Sequence, residues 1–219
     1  GVRLGLAEGG EPFCPGPDAR HLLVVGEPAS GKTTLLRTLV AELTSSHRPT
    51  ELQILALHPR RQLLGAVAEE FCLAPATTGQ AGAEAMRELT QALQARLPGP
   101  DLTAAQLGAR NWWQGPEVWV VVDDYELLEP ALWSPLLGLL PHAADIGLHL
   151  AITRGASGVG RALFDPVLTS IRATGLVALL AGPADEGPIA SGYRLRPVPP
   201  GRAVFVDRRG RAQVVQVAE

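Results

Sequence analysis

Lysine is almost absent from this sequence. Lys32 is the only one in 219 residues, against eighteen arginines, and this scarcity excludes a guanine-reading Asn-Lys-x-Asp site, which needs a second lysine. Neither sign of charge dominates. A formal net charge of −3 gives no global positive field to gather nucleic acid. Cysteine is scarce too: Cys14 and Cys72 form no Cys-x-x-Cys, which fits a reducing compartment and ordinary packing roles. No apolar run reaches the ~18 residues of a membrane span. No His, Cys, Asp and Glu stand together at metal-ligand spacing, and there is neither an internal repeat nor a low-complexity tract. An initiator methionine and a signal peptide are missing at Gly1, so the segment is expected to be a domain cut from a longer chain, with any membrane anchor outside it.

What is present is apolar and punctuated. With 46% hydrophobic residues the chain can bury a substantial core, and its length suits one large domain spanning 1–219. The 24 glycines and 19 prolines imply many loops but stay below the roughly 25–30% of disordered chains. Short apolar runs alternate with helical spacings, the pattern of a mostly parallel sheet covered on both faces. Val2, Leu4 and Leu6 alternate as in an edge strand, and 21–26 is a continuous apolar strand. Strands are also expected at 52–57, 118–124, 148–152 and 176–180, and a hairpin at 202–206 and 212–217 around Asp-Arg-Arg-Gly. Helices are expected at 33–43, along Met86, Leu89, Leu93 and Leu97, at 130–140, and at 163–171 with a break near Pro166. Asp101 stands where it could cap a further short helix.

The lone lysine lies in Gly26-Glu27-Pro28-Ala29-Ser30-Gly31-Lys32-Thr33-Thr34, between an apolar strand and an amphipathic helix. That context makes the Gly-x-x-x-x-Gly-Lys-Thr string a phosphate-binding loop. Gly26 to Gly31 let backbone N–H groups turn inward to phosphate oxygens, and the helix dipole adds to them. An ammonium bridges β- and γ-phosphates as a compact point charge where the larger planar guanidinium would not fit, which explains why arginine stops here. Thr33 is expected to give its hydroxyl to Mg²⁺, and Thr34 to lie toward the α-phosphate.

The complement is an acid at the end of a hydrophobic strand, and Val118-Trp119-Val120-Val121-Val122-Asp123-Asp124 supplies it. Asp123 is expected to hold Mg²⁺ through water opposite Thr33, with Asp124 polarising the attacking water. Many hydrolytic enzymes of this type carry glutamate there. A carboxylate one methylene shorter stands roughly 1 Å further off, and misplacement of that order costs about 10²-fold in rate. The competing reading of Asp124 is a loop-turn aspartate with no catalytic part. Glu126 is expected to face solvent, or to contribute if the loop bends inward. Thr153, ending the 148–152 strand, is a candidate γ-phosphate sensor in an additional-strand arrangement; Arg154 or Arg161 could reach a neighbouring nucleotide.

The runs RNWWQGPEVWVVVDDYELL (110–128), DIGLHLAITR (145–154), RALFDPVL (161–168), DEG (185–187) and PPGRAVFVDRRG (199–210) resemble the FtsK/SpoIIIE-type ATPases of type VII (ESX) secretion, the EccC family, and the last of their tandem ATPase domains in particular. The resemblance covers nearly the whole chain. It implies a RecA-like, additional-strand P-loop fold, ATP and Mg²⁺ as cofactors, and a parent protein anchored on the cytoplasmic side of a bacterial membrane. It also implies as partners the other ATPase domains of the same chain, the secretion membrane complex, and exported helical-hairpin proteins read through a C-terminal signal. Catalysis is associated with the first domain of such chains and the later ones look degenerate, which agrees with Asp124 in the glutamate position and implies weak hydrolysis. One departure stands out: where family members often read Asp-Tyr-Arg-Arg, this chain has His58-Pro59-Arg60-Arg61, leaving the arginines without an obvious local partner.

Two other functions compete. A DNA-translocating pump should line its channel with basic side chains, and only Arg208, Arg209 and Arg211 cluster here, so no nucleic-acid partner is expected. A non-catalytic module that holds nucleotide as a structural element differs from an active ATPase mainly at Asp124. His58 is expected as a strand-end surface residue. Of Trp112 and Trp113, at least one is expected to pack against the core.

Overall fold

The computed structural model describes residues 2–16, 19–74, 79–109 and 111–218; Arg110, which begins the 110–128 stretch quoted above, lies outside the described residues. Two short strands, β1 (Gly5–Ala7) and β2 (Pro12–Phe13), precede the wholly buried β3 (His21–Gly26). Helix α1 (Lys32–Ser46) follows directly and leads into β4 (Leu52–Leu57). Then come α2 (Gln80–Gln94), α3 (Ala104–Ala109), β5 (Glu117–Val122), two single turns α4 (Ser134–Leu137) and α5 (Ala143–Ile146), and β6 (Leu148–Gly155). The chain closes with α6 (Val159–Ala162), α7 (Pro166–Thr174), β7 (Leu176–Leu179) and the hairpin β8 (Arg202–Val206) and β9 (Ala212–Val217).

All the strands join one nine-stranded sheet in the order β2-β1-β9-β8-β7-β3-β6-β5-β4. The stretch from β7 to β4 is parallel and carries the expected extra strand, β6, between β3 and β5. The remainder, from β8 to β2, is antiparallel. β1 is not an edge: it lies between β9 and the two-residue β2. At the far side the open edge of β4 is partly covered, since Leu73 N–H donates to Ile54 O at 2.9 Å.

Alternation along the strands divides the core into two layers. Leu22, Val24, Ile54, Val121 and Ala151 meet Leu35, Leu36, Leu39, Val40 and Leu43 of α1 on one face. Leu23, Val25, Leu55, Val120, Leu150 and Val177 meet Met86, Leu89 and Leu93 of α2 and Val167, Leu168 and Ile171 of α7 on the other. Each fully buried leucine contributes about 1.5–3 kcal/mol of transfer free energy, so α1 is held by its packing. That matters because its first turn has no side-chain cap.

Three expectations shift. The helix expected at 130–140 is a series of short turns, because Pro135 and Pro141 lack the N–H that would propagate it. Pro166 starts α7 instead of breaking a helix, with Asp165 Oδ1 accepting from Val167 N and Leu168 N at 2.8 and 3.2 Å. Thr103, not Asp101, caps α3 through a reciprocal pair with Gln106 (3.2 and 3.0 Å).

Candidate functional site

The residues singled out from the sequence converge at the carboxyl ends of β3, β5 and β6. After Gly26 the chain turns through Ala29, held at φ 60°, and Gly31, at φ 105°, before entering α1. The glycines are sterically required. A Cβ on Gly26 would stand 2.4 Å from Ser30 Oγ, and one on Gly31 would meet Gly201 at 3.2 Å. Glu27 N–H is held by Ala181 O at 2.7 Å, and Ser30 O accepts from Gly201 N at 2.9 Å, so β7 and the approach to β8 brace the loop. Lys32 Nζ folds back on Glu27 O at 2.9 Å.

Across the sheet, Asp123 and Asp124 follow the last residue of β5. Asp123 is buried; its Oδ2 accepts from Thr33 Oγ1 at 2.9 Å and its Oδ1 from Thr153 Oγ1 at 2.6 Å. Thr153 Oγ1 in turn accepts from Asp124 N at 2.9 Å. The Thr153 side chain has no exposed surface and its one hydroxyl hydrogen is spent on Asp123. In this structure the Thr153 hydroxyl therefore fixes both aspartates. Thr33 Oγ1 also lies 3.0 Å from Gln62 Oε1, tying the loop after β4 to the start of α1.

Asp124 adopts a left-handed conformation, φ 59° and ψ 59°. Burial first, and the Asp123 carboxylate second, push its pKa above the ordinary aspartate value, while Arg60 opposes them. Arg60 Nε stands 3.6 Å from Asp124 Oδ2, so this arginine does have a local partner. Glu126 is exposed, as expected, and its Oε1 also accepts from Gly155 N at 2.7 Å. His58, expected at the surface, is buried, and burial lowers its pKa. Arg154 lies over its own loop, with Nη1 3.1 Å from Gly155 O. Arg60 and Gly201 were missed in the sequence; the His-Pro-Arg-Arg departure and the Pro-Pro-Gly of 199–201 were the available signals.

These elements bound a cavity of about 710 Å³ lined by Glu27 to Ala29, Gly31 to Thr34, Arg60, Gln62, Asp124, Glu126 and the loops around 155–157 and 183–186. The donor set fits a magnesium-bound nucleotide. The first turn of α1 has neither a side-chain cap nor an acidic residue, so its N–H groups are free for an anion, and Ser30 Oγ is buried without a partner. Fold and site define a P-loop nucleotide-binding protein.

The comparisons with known proteins take this further: the chain carries an FtsK/SpoIIIE family domain, whose model matches residues 12–112. It is 44% identical over 202 residues to the ESX-4 secretion system protein EccC4 of Mycobacterium tuberculosis, covering 90% of this chain and 16% of that protein. It is 38% identical to the ESX secretion system protein EccC of Thermomonospora curvata, with 90% and 15% covered. Among solved structures, Thermomonospora curvata EccC (ATPases 2 and 3) in complex with a signal sequence peptide superposes with a TM-score of 0.94 at 34% identity, covering 99% of this chain and 40% of that one. The chain thus spans about a sixth of the length of these two curated relatives. No helix among the described residues is long and apolar enough to cross a membrane.

Proposed function

We propose that this chain is one P-loop domain of a type VII secretion ATPase of the EccC kind, the last in its parent chain, which binds ATP with Mg²⁺ and hydrolyses it weakly alone. The observation that carries the nucleotide reading is the 2.9 Å hydrogen bond between Thr33 and Asp123, which brings the phosphate loop and the acid strand to one point. Gly26, Glu27, Pro28, Ala29, Ser30, Gly31 and Thr34 would surround the phosphates and Lys32 would pair with them. Thr33 and Asp123 would hold Mg²⁺, Asp123 through water. The cation, when bound, neutralises charge on the β- and γ-phosphoryl oxygens. Thr153 keeps Asp123 pointed at Thr33, and Asp124 would orient the attacking water.

Weak turnover is supported by two features of Asp124: it is one methylene shorter than glutamate, and its carboxylate faces Arg60. The same features favour a second reading, a non-catalytic module held in shape by its nucleotide. A DNA pump gains no support from the β8–β9 turn, where Arg211 Nε is held by Asp207 Oδ2 at 2.7 Å.

The resemblance to ATPases 2 and 3 of a protein solved with a signal sequence peptide supports a part in recognising exported helical-hairpin proteins through their C-terminal signal. Its partners would be the other ATPase domains of the parent chain and the secretion membrane complex, at the cytoplasmic face of the membrane. Calorimetry with Mg·ATP beside a phosphate-release assay tests the nucleotide part. Tight binding with little release is expected; robust release would make the domain a motor in its own right, and no binding would end the assignment.

A further inference from the structure

The cavity described above carries two cationic side chains, Lys32 and Arg60, against the five acids Glu27, Asp124, Glu126, Asp185 and Glu186. Two of these acids are used on backbone: Glu126 accepts from Gly155 N at 2.7 Å, and Glu186 from Gly158 N and Gly160 N at 2.8 and 3.3 Å. The lining is still net acidic, so each added phosphate charge makes a larger demand on the two cations. Lys32 answers for the loop itself. Arg60 has no counterpart in the Gly-x-x-x-x-Gly-Lys-Thr pattern.

The position of Arg60 is built. Pro59 and the left-handed Arg61 (φ 58°) close a turn in which Arg61 N–H donates to His58 O at 2.8 Å. Just beyond it, the Gln62 carbonyl is fastened to α1 by Arg37 Nε at 3.0 Å, and the Gln62 side chain lies against Thr33, Oε1 3.0 Å from Oγ1. The backbone that carries Arg60 is therefore fixed at the cavity mouth, and its guanidinium lines the cavity. Its contact with Asp124 is loose: 3.6 Å, from Nε, with 63% of the arginine side chain exposed. Such a pair contributes little by itself, and a dianionic terminal phosphoryl group is a stronger, bidentate partner for the same fork.

We propose that Arg60 is the specificity-determining residue of this cavity: it rests on Asp124 and would transfer to the terminal phosphate of a nucleoside triphosphate. In doing so it favours triphosphate over diphosphate and frees the Asp124 carboxylate only when the triphosphate is present. The inference rests on the nucleotide reading of the site and deepens it. Removal of Arg60 would then cost triphosphate affinity selectively.

The test is calorimetric titration of the domain with Mg·ATP and, separately, Mg·ADP, for wild type, Arg60→Gln and Arg60→Lys. Loss of one charge-assisted contact predicts a fall of about 10- to 100-fold in Mg·ATP affinity for Arg60→Gln, with Mg·ADP changed less than about threefold. Arg60→Lys should recover part of the difference. Because most of the side chain is exposed, matching thermal melts are expected and establish that the variants fold. Equal losses for both nucleotides, or none for either, would overturn the proposal and leave the nucleotide site standing. A wild-type domain that binds neither nucleotide would overturn both, and Lys32→Ala separates the cases, since it should remove both affinities together.

Discussion

The two ends of the parallel strands are built to different standards. At the carboxyl ends, Ala29, Arg61 and Asp124 are held at positive φ without being glycine, and Ser30 Oγ and His58 Nδ1 are buried without partners. At the amino ends the polar groups are matched. His21 Nδ1 accepts from Leu150 N at 3.0 Å, and His149 reaches Arg20 O and the Glu117 carboxylate at 3.0 and 2.9 Å while stacking on Trp119. Trp112 and Trp113 donate to Arg96 O and Asp145 O at 2.8 and 2.7 Å, and Arg96 binds Pro116 O and Ile146 O while lying over the Trp113 ring. Strained or unmatched groups cost about 1–3 kcal/mol each and persist where the surroundings over-determine them. The comparison teaches that one end of this sheet holds groups in readiness for a ligand while the other end stabilises the fold.

The sharpest way to break that contrast is Lys32→Ala. It should reduce Mg·ATP affinity by at least about 10³-fold, because the ammonium is the loop's one point charge for the phosphates, yet leave the urea midpoint unchanged. Unchanged nucleotide affinity in this variant would remove the phosphate loop from the site.

The next largest effect belongs to the opposite end and to pH. Burial, with His149 and Arg20 nearby, lowers the His21 pKa from 6.5 to about 4, and the accepting role of Nδ1 toward Leu150 N requires the neutral ring. The folded-state pKa lies below the unfolded one, so the unfolded chain takes up the proton first. The contribution of His21 is complete above pH 6.5 and is lost as pH falls toward 4, amounting to about 3 kcal/mol over that interval. Glu117, whose pKa is lowered chiefly by its hydrogen bond to His149, loses its contribution further down, as the carboxylate protonates. Urea unfolding between pH 7 and 4 should show this loss in wild type and a flatter profile in His21→Asn. Parallel profiles would mean that other groups set the acid limit.

The legibility of the molecule in its sequence follows the same division. The strand-loop-helix around 26–34, the place of Asp123 at the end of its strand, the strand sequence and the hairpin could be read because each depends on local spacing and on apolar periods that no distant contact overrides. Three things could not. The end-of-strand position of Thr153 was visible, whereas its hydrogen bonds to residues about thirty positions back were not. Arg60 looked unpartnered because Asp124, which it faces, is brought to it by the pairing of β4 with β5. The tryptophan pair looked divided between core and surface, but both indoles are half-buried and satisfied by backbone carbonyls. Side chains whose meaning depends on strand order are the ones that linear reading misassigns.

The smallest expected effect is Asp124→Glu, and it tests where the two ends differ most finely. The added methylene extends the carboxylate toward the position of the attacking water by roughly 1 Å, which should raise turnover about tenfold, a fraction of the ~10²-fold that misplacement of that order can cost. Two forces oppose the gain. Aspartate is among the few L residues that visit the left-handed region routinely, so glutamate at φ 59° should cost up to ~1 kcal/mol, a loss of about 2–4 °C in Tm for a chain of this size. Arg60 would be the second if it stayed on the longer carboxylate instead of passing to the terminal phosphate. Phosphate release measured alongside a thermal melt separates these terms. Faster release with a slightly lower Tm would show that side-chain reach limits turnover. Unchanged release with intact Mg·ATP affinity would place the limit elsewhere, and adding Arg60→Gln to Asp124→Glu would then decide whether the arginine is the restraint, since only in that case should the double variant be faster than either single one.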